Sequence, residues 1–146
     1  MPDLGLTPSA LSTNASNPGY SSVSTQRSEE FNSLLTNSVN AINGWDGVHA
    51  QSFDTMSFLR HEIQIKGAAG FNVTDACITG STSTTMSVCS NPDNCVFWDG
   101  VHPTAISHQI LGTAFAAAVP EPGANVLLML GLVAGLAVTR RRTAQH

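Results

Sequence analysis

Charged side chains are scarce in this sequence. They make up 11% of its 146 residues, with 6 Lys and Arg against 10 Asp and Glu, and the formal net charge is −4. Soluble domains usually carry roughly 25% charged residues. So few basic side chains cannot build the basic face that neutralises a phosphate backbone. The composition therefore argues against nucleic acid as a partner.

Cysteine spacings typical of a metal knuckle are also missing. The three cysteines, Cys77, Cys89 and Cys95, lie in a Ser/Thr/Asn/Gly-rich stretch without a C-x-x-C pair, which disfavours a zinc site. If the chain is exported, a Cys77–Cys89 disulfide would add about 3 kcal/mol by the chain-entropy estimate and leave Cys95 over. Three buried reduced thiols are the alternative. No metal or other cofactor is expected.

A coarse pattern of alternating helices and strands is present. Apolar spacing and turn residues predict a loop over residues 1–23, a helix over 24–42, a strand over 48–53, a helix to about 65 capped by Asp54, a strand over 95–98 and a helix over 104–119. Such alternation predicts part of an α/β layered fold with a parallel sheet. Since two strands do not make that sheet, we expect several strands to be absent from this chain.

The carboxy-terminal tail has three parts in a fixed order. Pro120, Glu121 and Pro122 come first, an uncharged apolar run over residues 123–139 follows, and Arg140, Arg141 and Arg142 come directly after it. As a helix the run would reach roughly 25 Å, which predicts one short transmembrane helix. Because arginines are retained on the cytoplasmic side, they act as a membrane stop and place the preceding domain outside the cytoplasm.

This order resembles the PEP-CTERM sorting tail. The resemblance implies export, anchoring in the membrane and processing near Pro120-Glu121-Pro122 by an exosortase-type membrane enzyme, with later cell-surface attachment or secretion. A plain carboxy-terminal membrane anchor is the alternative. The chain is accordingly divided into a domain over residues 1–118 and a sorting tail over 119–146.

One heptapeptide carries recognisable chemistry. Trp98-Asp-Gly-Val-His-Pro-Thr104 follows the second predicted strand and precedes a helix. In a tight turn, Asp99 can accept the Nδ1 proton of His102, fix its tautomer and leave Nε2 facing a nucleophile. Pro103 stiffens the exit and Thr104 can cap the helix. An exposed imidazole in a capped turn is the structural alternative.

The heptapeptide resembles the last block of the SGNH, or GDSL, hydrolases, which cleave esters of lipids and acylated sugars. The opening residues 2–8, the helix near Phe31 to Ile42 and the segment 72–77 also resemble one secreted branch of that family. The resemblance implies the carboxy-terminal part of a flavodoxin-like α/β/α sandwich. It also implies that Asp99 orients His102, and that His102 activates a serine.

The serine block of that family is missing from these residues. No serine here lies in a Gly-Asp-Ser setting after a strand, and residues 1–23 contain no charged leader followed by an apolar run. The sequence therefore predicts the carboxy-terminal fragment of an exported serine ester hydrolase that is inactive by itself. The alternative is a non-catalytic cell-envelope or matrix protein displayed by the tail.

The pentapeptide Trp45-Asp-Gly-Val-His49 repeats the first five residues of the heptapeptide. Ala50 follows it instead of proline and a capped helix, so we interpret this copy as coincidence. A metal site built from Asp46, His49, Asp99 and His102 is the third hypothesis.

Overall fold

The structure, a computed structural model, describes residues 1–80 and 86–119. These contain the helices α1 (Pro8–Ser16), α2 (Tyr20–Ile42), α3 (Thr55–Ala68) and α4 (Ala105–Ala118), and the strands β1 (Asn72–Ala76), β2 (Ile78–Thr79), β3 (Ser87–Val88) and β4 (Cys95–Phe97). Short 3-10 turns occur at Leu4–Leu6 and Pro92–Asn94. The chain divides into two compact units, Met1–Thr113 and Ala114–His146, and the described part of the second is the end of α4 and Val119.

Side-chain caps explain where two helices begin. The Thr7 hydroxyl accepts a hydrogen bond from the amide of Ala10 at 3.3 Å, and Pro8 occupies the first turn of α1. The Asp54 carboxylate accepts one from the amide of Ser57 at 3.0 Å at the start of α3. Both caps satisfy amide groups that a helix leaves without a partner. The hydrogen bonds from Ser57 lower the pKa of Asp54.

Two small sheets are present in the described residues. β1 pairs in parallel with β4, and β2 pairs antiparallel with β3. All three residues of β4 are buried, with Phe97 only 1% exposed. Outside β4, the buried apolar side chains of the described residues include Ala10, Met56 and Cys77. The core of the first unit therefore includes the strand that leads into the heptapeptide.

A buried carboxylate ties the amino terminus to two helices. Asp3 is 1% exposed. Its side chain accepts hydrogen bonds from the amide of Gly5 at 3.1 Å, from the hydroxyl of Thr25 in α2 at 2.7 Å and from Arg60 in α3 at 2.8 Å. Because a buried charge is tolerated only when it is paired and hydrogen-bonded, these partners fix the segment before α1.

The predicted α/β/α sandwich is wrong for the described residues. Their longest strand has 5 residues, and the strands form two separate two-stranded sheets among four helices. The strand predicted over residues 48–53 is absent. The side-chain amide of Asn43 bonds both backbone groups of Ala50, at 2.6 and 2.9 Å, which closes this part of the chain as a loop. Alternation of apolar residues was misleading here because no neighbouring strand pairs with them.

Other predicted elements are close to those observed. The helices predicted over 24–42, to about 65 and over 104–119 correspond to α2, α3 and α4. The predicted loop over residues 1–23 was wrong, because the capped helix α1 lies within it. The spacing of Phe31, Leu34 and Leu35 suggested an apolar face, but these side chains are 49%, 67% and 37% exposed, and the buried residue of α2 is Ser28.

The predicted transmembrane helix over residues 123–139 lies outside the described residues, as do Pro120 to Pro122 and Arg140 to Arg142. Within residues 1–80 and 86–119, no helix combines the length and the apolar character needed to cross a membrane.

Candidate functional site

The heptapeptide forms a tight turn that runs back along β4. The amide of Trp98 donates to the carbonyl of His102 at 2.8 Å, and the amide of Thr104 donates to that of Val96 at 3.0 Å. A single antiparallel bridge pairs Phe97 with Pro103. The turn is therefore anchored to the buried strand at His102 and at the two residues that follow it.

The structure brings Asp99 and His102 together. One carboxylate oxygen of Asp99, Oδ1, accepts hydrogen bonds from the amides of Val101 at 2.8 Å and His102 at 2.7 Å. The other, Oδ2, lies 2.8 Å from Nδ1 of the His102 ring. The backbone thus orients the carboxylate, and the carboxylate in turn orients the imidazole.

These bonds also fix the charge of the site. The amide of His102 and then that of Val101 lower the pKa of Asp99 to about 2, so its carboxylate is ionised at neutral pH. An ionised carboxylate at Nδ1 holds a proton on that nitrogen. The His102 side chain is 73% exposed, and its Nε2 makes no hydrogen bond to the described residues. Nε2 is consequently open to a reacting group.

Thr104 holds the strand and the helix together directly after His102. It is 3% exposed, its hydroxyl donates to the carbonyl of Cys95 at 2.8 Å, and the same oxygen accepts from the amide of Ser107 at 3.4 Å. The predicted capping role is confirmed. The link to Cys95 was not predicted, because sequence does not show which strand carbonyl faces the cap.

Helix α1 braces the turn from a distant part of the chain. The amide of Ser9 donates to the carbonyl of Gly100 at 2.9 Å. A β-carbon at Gly100 would collide with the Oγ atom of Ser9, so a larger residue there would require the Ser9 hydroxyl to rotate away. Sequence reasoning missed this contact, and no local pattern could have shown it, since the partners lie far apart in sequence.

The three cysteines form a cluster beside β4. Cys77 and Cys89 are joined by a disulfide with their Cα atoms 4.8 Å apart. Cys95 is free and buried, and its Sγ lies 3.5 Å from Sγ of Cys89. Burial, and secondarily the charge of Asp75, raise the pKa of the Cys95 thiol. The amide of Cys77 donates to the carbonyl of Phe97 at 3.1 Å, which connects the disulfide to the strand of the site.

The first pentapeptide copy is arranged differently. No hydrogen bond joins Asp46 to His49 in the described part of the chain, and the two residues line an open surface depression. Among residues 1–80 and 86–119, the single group of three or more potential metal ligands consists of the three cysteines. The structure therefore does not bring Asp46 and His49 into one ligand set with Asp99 and His102.

Residues 118–142 match the PEP-CTERM protein-sorting motif. The chain is also 27% identical over 135 residues to a GDSL esterase/lipase of Arabidopsis thaliana, an alignment that includes 87% of this chain and 39% of that protein. The chain thus spans about two fifths of the length of this curated relative. Both parts of the resemblance are supported. The sorting motif indicates export and processing by an exosortase, and the similarity points to an ester hydrolase family.

Proposed function

We propose that residues 1–118 supply the Asp and His of a Ser-His-Asp triad to an exported ester hydrolase, and that residues 119–146 are its sorting tail. The arrangement of Asp99 and His102 carries the proposal. The similarity to a GDSL esterase/lipase, which extends over 39% of that protein, supports it. The nucleophilic serine is contributed by polypeptide outside these 146 residues, so the chain alone is inactive.

In this proposal His102 is the general base. Its Nε2 takes the proton of the serine hydroxyl as the oxygen attacks the ester carbonyl, and it later returns a proton to the leaving alcohol. Asp99 keeps the Nδ1 proton in place and stabilises the imidazolium that forms. The two amides that hold Asp99 ionised keep this charge available throughout the reaction. The substrate is an acylated lipid or sugar.

The test is hydrolysis of 4-nitrophenyl esters by the intact gene product that contains these residues. We expect His102→Ala to lower kcat about 10⁶-fold and Asp99→Asn to lower it about 10⁴-fold, as in other serine triads. His49→Ala and Asp46→Asn are matched controls, because they alter the same residue types in the same pentapeptide. These controls should leave kcat unchanged.

Two outcomes would contradict the proposal. Equal losses from His102→Ala and His49→Ala would show that the Asp99–His102 pair has no special role. Absence of any hydrolysis by a well-folded gene product, together with no labelling by a serine-directed fluorophosphonate, would favour the non-catalytic envelope protein.

A further inference from the structure

A free thiol lies in contact with the disulfide beside β4. Cys95 is 5% exposed, and its Sγ lies 3.5 Å from Sγ of Cys89, which is bonded to Cys77. All three sulfur atoms lie within 4.8 Å of one another. A disulfide is broken when a thiolate attacks one of its two sulfur atoms. The folded protein therefore holds an attacking group and its target next to each other.

Local structure holds Cys89 and Cys95 in this contact from two directions. The 3-10 turn Pro92–Asn94 folds the chain back between them, and the carbonyl oxygen of Asn91 lies 3.7 Å from Sγ of Cys95. On the other side, the amide of Cys89 donates to the carbonyl of Cys77 at 2.7 Å, which extends the pairing of β2 with β3. The hairpin is therefore closed by backbone hydrogen bonds as well as by the disulfide.

Two different bridges can share Cys89. The Cys77–Cys89 bridge joins residues 12 positions apart, and a Cys89–Cys95 bridge would join residues 6 positions apart. In the chain-entropy model, the stabilisation by a disulfide changes only with the logarithm of the number of residues enclosed. Loop size therefore gives neither bridge a strong preference over the other.

We propose that the three cysteines form an internal thiol–disulfide exchange site, in which Cys95 attacks Sγ of Cys89 and moves the disulfide from Cys77–Cys89 to Cys89–Cys95. The Cys95 thiol loses its proton to solvent, and the bond between the sulfur atoms of Cys77 and Cys89 breaks as the new bond forms. The Cys77 thiolate that leaves takes up a proton. One disulfide and one thiol are present before and after, so no oxidant or reductant is consumed.

The surroundings of Cys95 make this exchange slow. Burial, and secondarily the charge of Asp75, raise the pKa of the Cys95 thiol. Little of the reactive thiolate is consequently present at neutral pH. We expect a rearrangement over minutes to hours, the usual range for a disulfide that rearranges without a catalyst.

The exchange changes which strand is covalently attached to the hairpin. Cys95 is the first residue of β4, and its carbonyl accepts a hydrogen bond from the hydroxyl of Thr104, two residues after His102. The Cys77–Cys89 bridge includes no residue of β4, whereas a Cys89–Cys95 bridge joins β4 directly to the end of the hairpin. The strand that leads into the candidate site therefore gains a covalent attachment.

Peptide mapping follows the position of the disulfide. Cleavage before aspartate and after methionine puts the three cysteines on separate peptides, 75–86, 87–92 and 93–98. The intact gene product that contains these residues is incubated at roughly pH 8.5, near the pKa of a free thiol. It is then alkylated with N-ethylmaleimide in denaturant at mildly acidic pH and cleaved without reduction. We expect peptide 87–92 to become linked to 93–98 while the alkyl label moves to Cys77, at a rate independent of protein concentration.

Three controls isolate the contact between Cys95 and Cys89. Cys95→Ser removes the attacking sulfur and should keep the Cys77–Cys89 bridge throughout the incubation. Cys77→Ser should form the Cys89–Cys95 bridge when it folds. Wild-type protein in strong denaturant, where the native contacts are lost, should also form Cys77–Cys95, which the folded protein should not.

Several results would overturn the inference. An unchanged Cys77–Cys89 bridge in the folded wild type after a day is one, and a Cys77–Cys95 bridge that forms as often as Cys89–Cys95 is another. A third is a Cys77→Ser variant that folds with both remaining thiols free. Because none of these measurements requires hydrolysis, their outcome is independent of the proposed function.

Discussion

At the scale of single residues, the site depends on one carboxylate with several donors. Asp99 has a folded pKa of about 2 against an ordinary value of 3.8. A lowered folded pKa stabilises the protein above the unfolded pKa, and this stabilisation is lost as the pH falls through the folded pKa. We expect Asp99→Asn to lower the free energy of unfolding at neutral pH, and we expect the difference from the wild type to shrink between about pH 4 and pH 2.

Urea denaturation of both proteins at about pH 6 and at about pH 2.5 measures this difference. Asp46→Asn is the control, because its side chain makes no hydrogen bond to His49 in the described residues. If Asp99→Asn lowers the free energy of unfolding by the same amount at both pH values, the charge of the carboxylate does not stabilise the turn.

The residues of the pair could be recognised from sequence, but their surroundings could not. An acid and an imidazole three positions apart in a turn can contact each other without help from the rest of the fold. Asp99 and His102 could therefore be predicted as a pair from the local sequence. The Ser9 amide and the Cys95 carbonyl meet the site region only through folding. Sequence spacing carries no information about such contacts.

At the scale of elements, Thr104 is where β4, the turn and α4 are joined. We expect Thr104→Ala to lower the free energy of unfolding by about 1–3 kcal/mol, because it removes a helix cap and leaves the buried carbonyl of Cys95 without its donor. Thr104→Ser keeps the hydroxyl and should recover most of that loss. Chemical denaturation followed by circular dichroism measures both.

Thr113 in the same helix provides a matched control. Its exposed hydroxyl bonds the carbonyl of Gln109 at 3.0 Å, one turn earlier in α4. Since alanine is the better helix former, Thr113→Ala should change the free energy of unfolding by no more than about 0.5 kcal/mol. If both alanine variants change the free energy of unfolding equally, Thr104 contributes only through helix propensity. Its hydrogen bonds to β4 and α4 would then add nothing measurable.

Helices could be predicted from local caps and apolar spacing, whereas strands were mispredicted because they depend on pairing with distant segments of the chain. The Asp54 cap and the apolar spacing of residues 24–42 gave α3 and α2 close to their observed bounds. The alternating residues 48–53 are no strand, because a strand requires a neighbour and the Asn43 amide closes a loop there instead. The layered fold was predicted from the alternation of helices and strands, and its α/β/α sandwich form from the family resemblance. The described residues contain instead two separate two-stranded sheets among four helices.

At the scale of the whole molecule, the chain combines a described domain with a sorting motif at 118–142. The motif indicates that an exosortase processes the protein near Pro120-Glu121-Pro122. These three residues lie at the start of the matched segment. We expect replacement of all three residues by alanine to leave the exported protein unprocessed in a host that carries an exosortase.

The intact mass of the protein recovered from the cell surface and the medium measures this processing. Gln145→Ala lies beyond the matched segment and is the control, which should be processed like the wild type. Processing of the triple variant at the wild-type rate would mean that the enzyme does not recognise Pro120-Glu121-Pro122. Because the Asp99–His102 pair lies outside the motif, the triple variant should retain whatever hydrolytic activity the wild type has, so loss of sorting and loss of catalysis can be measured independently in one protein.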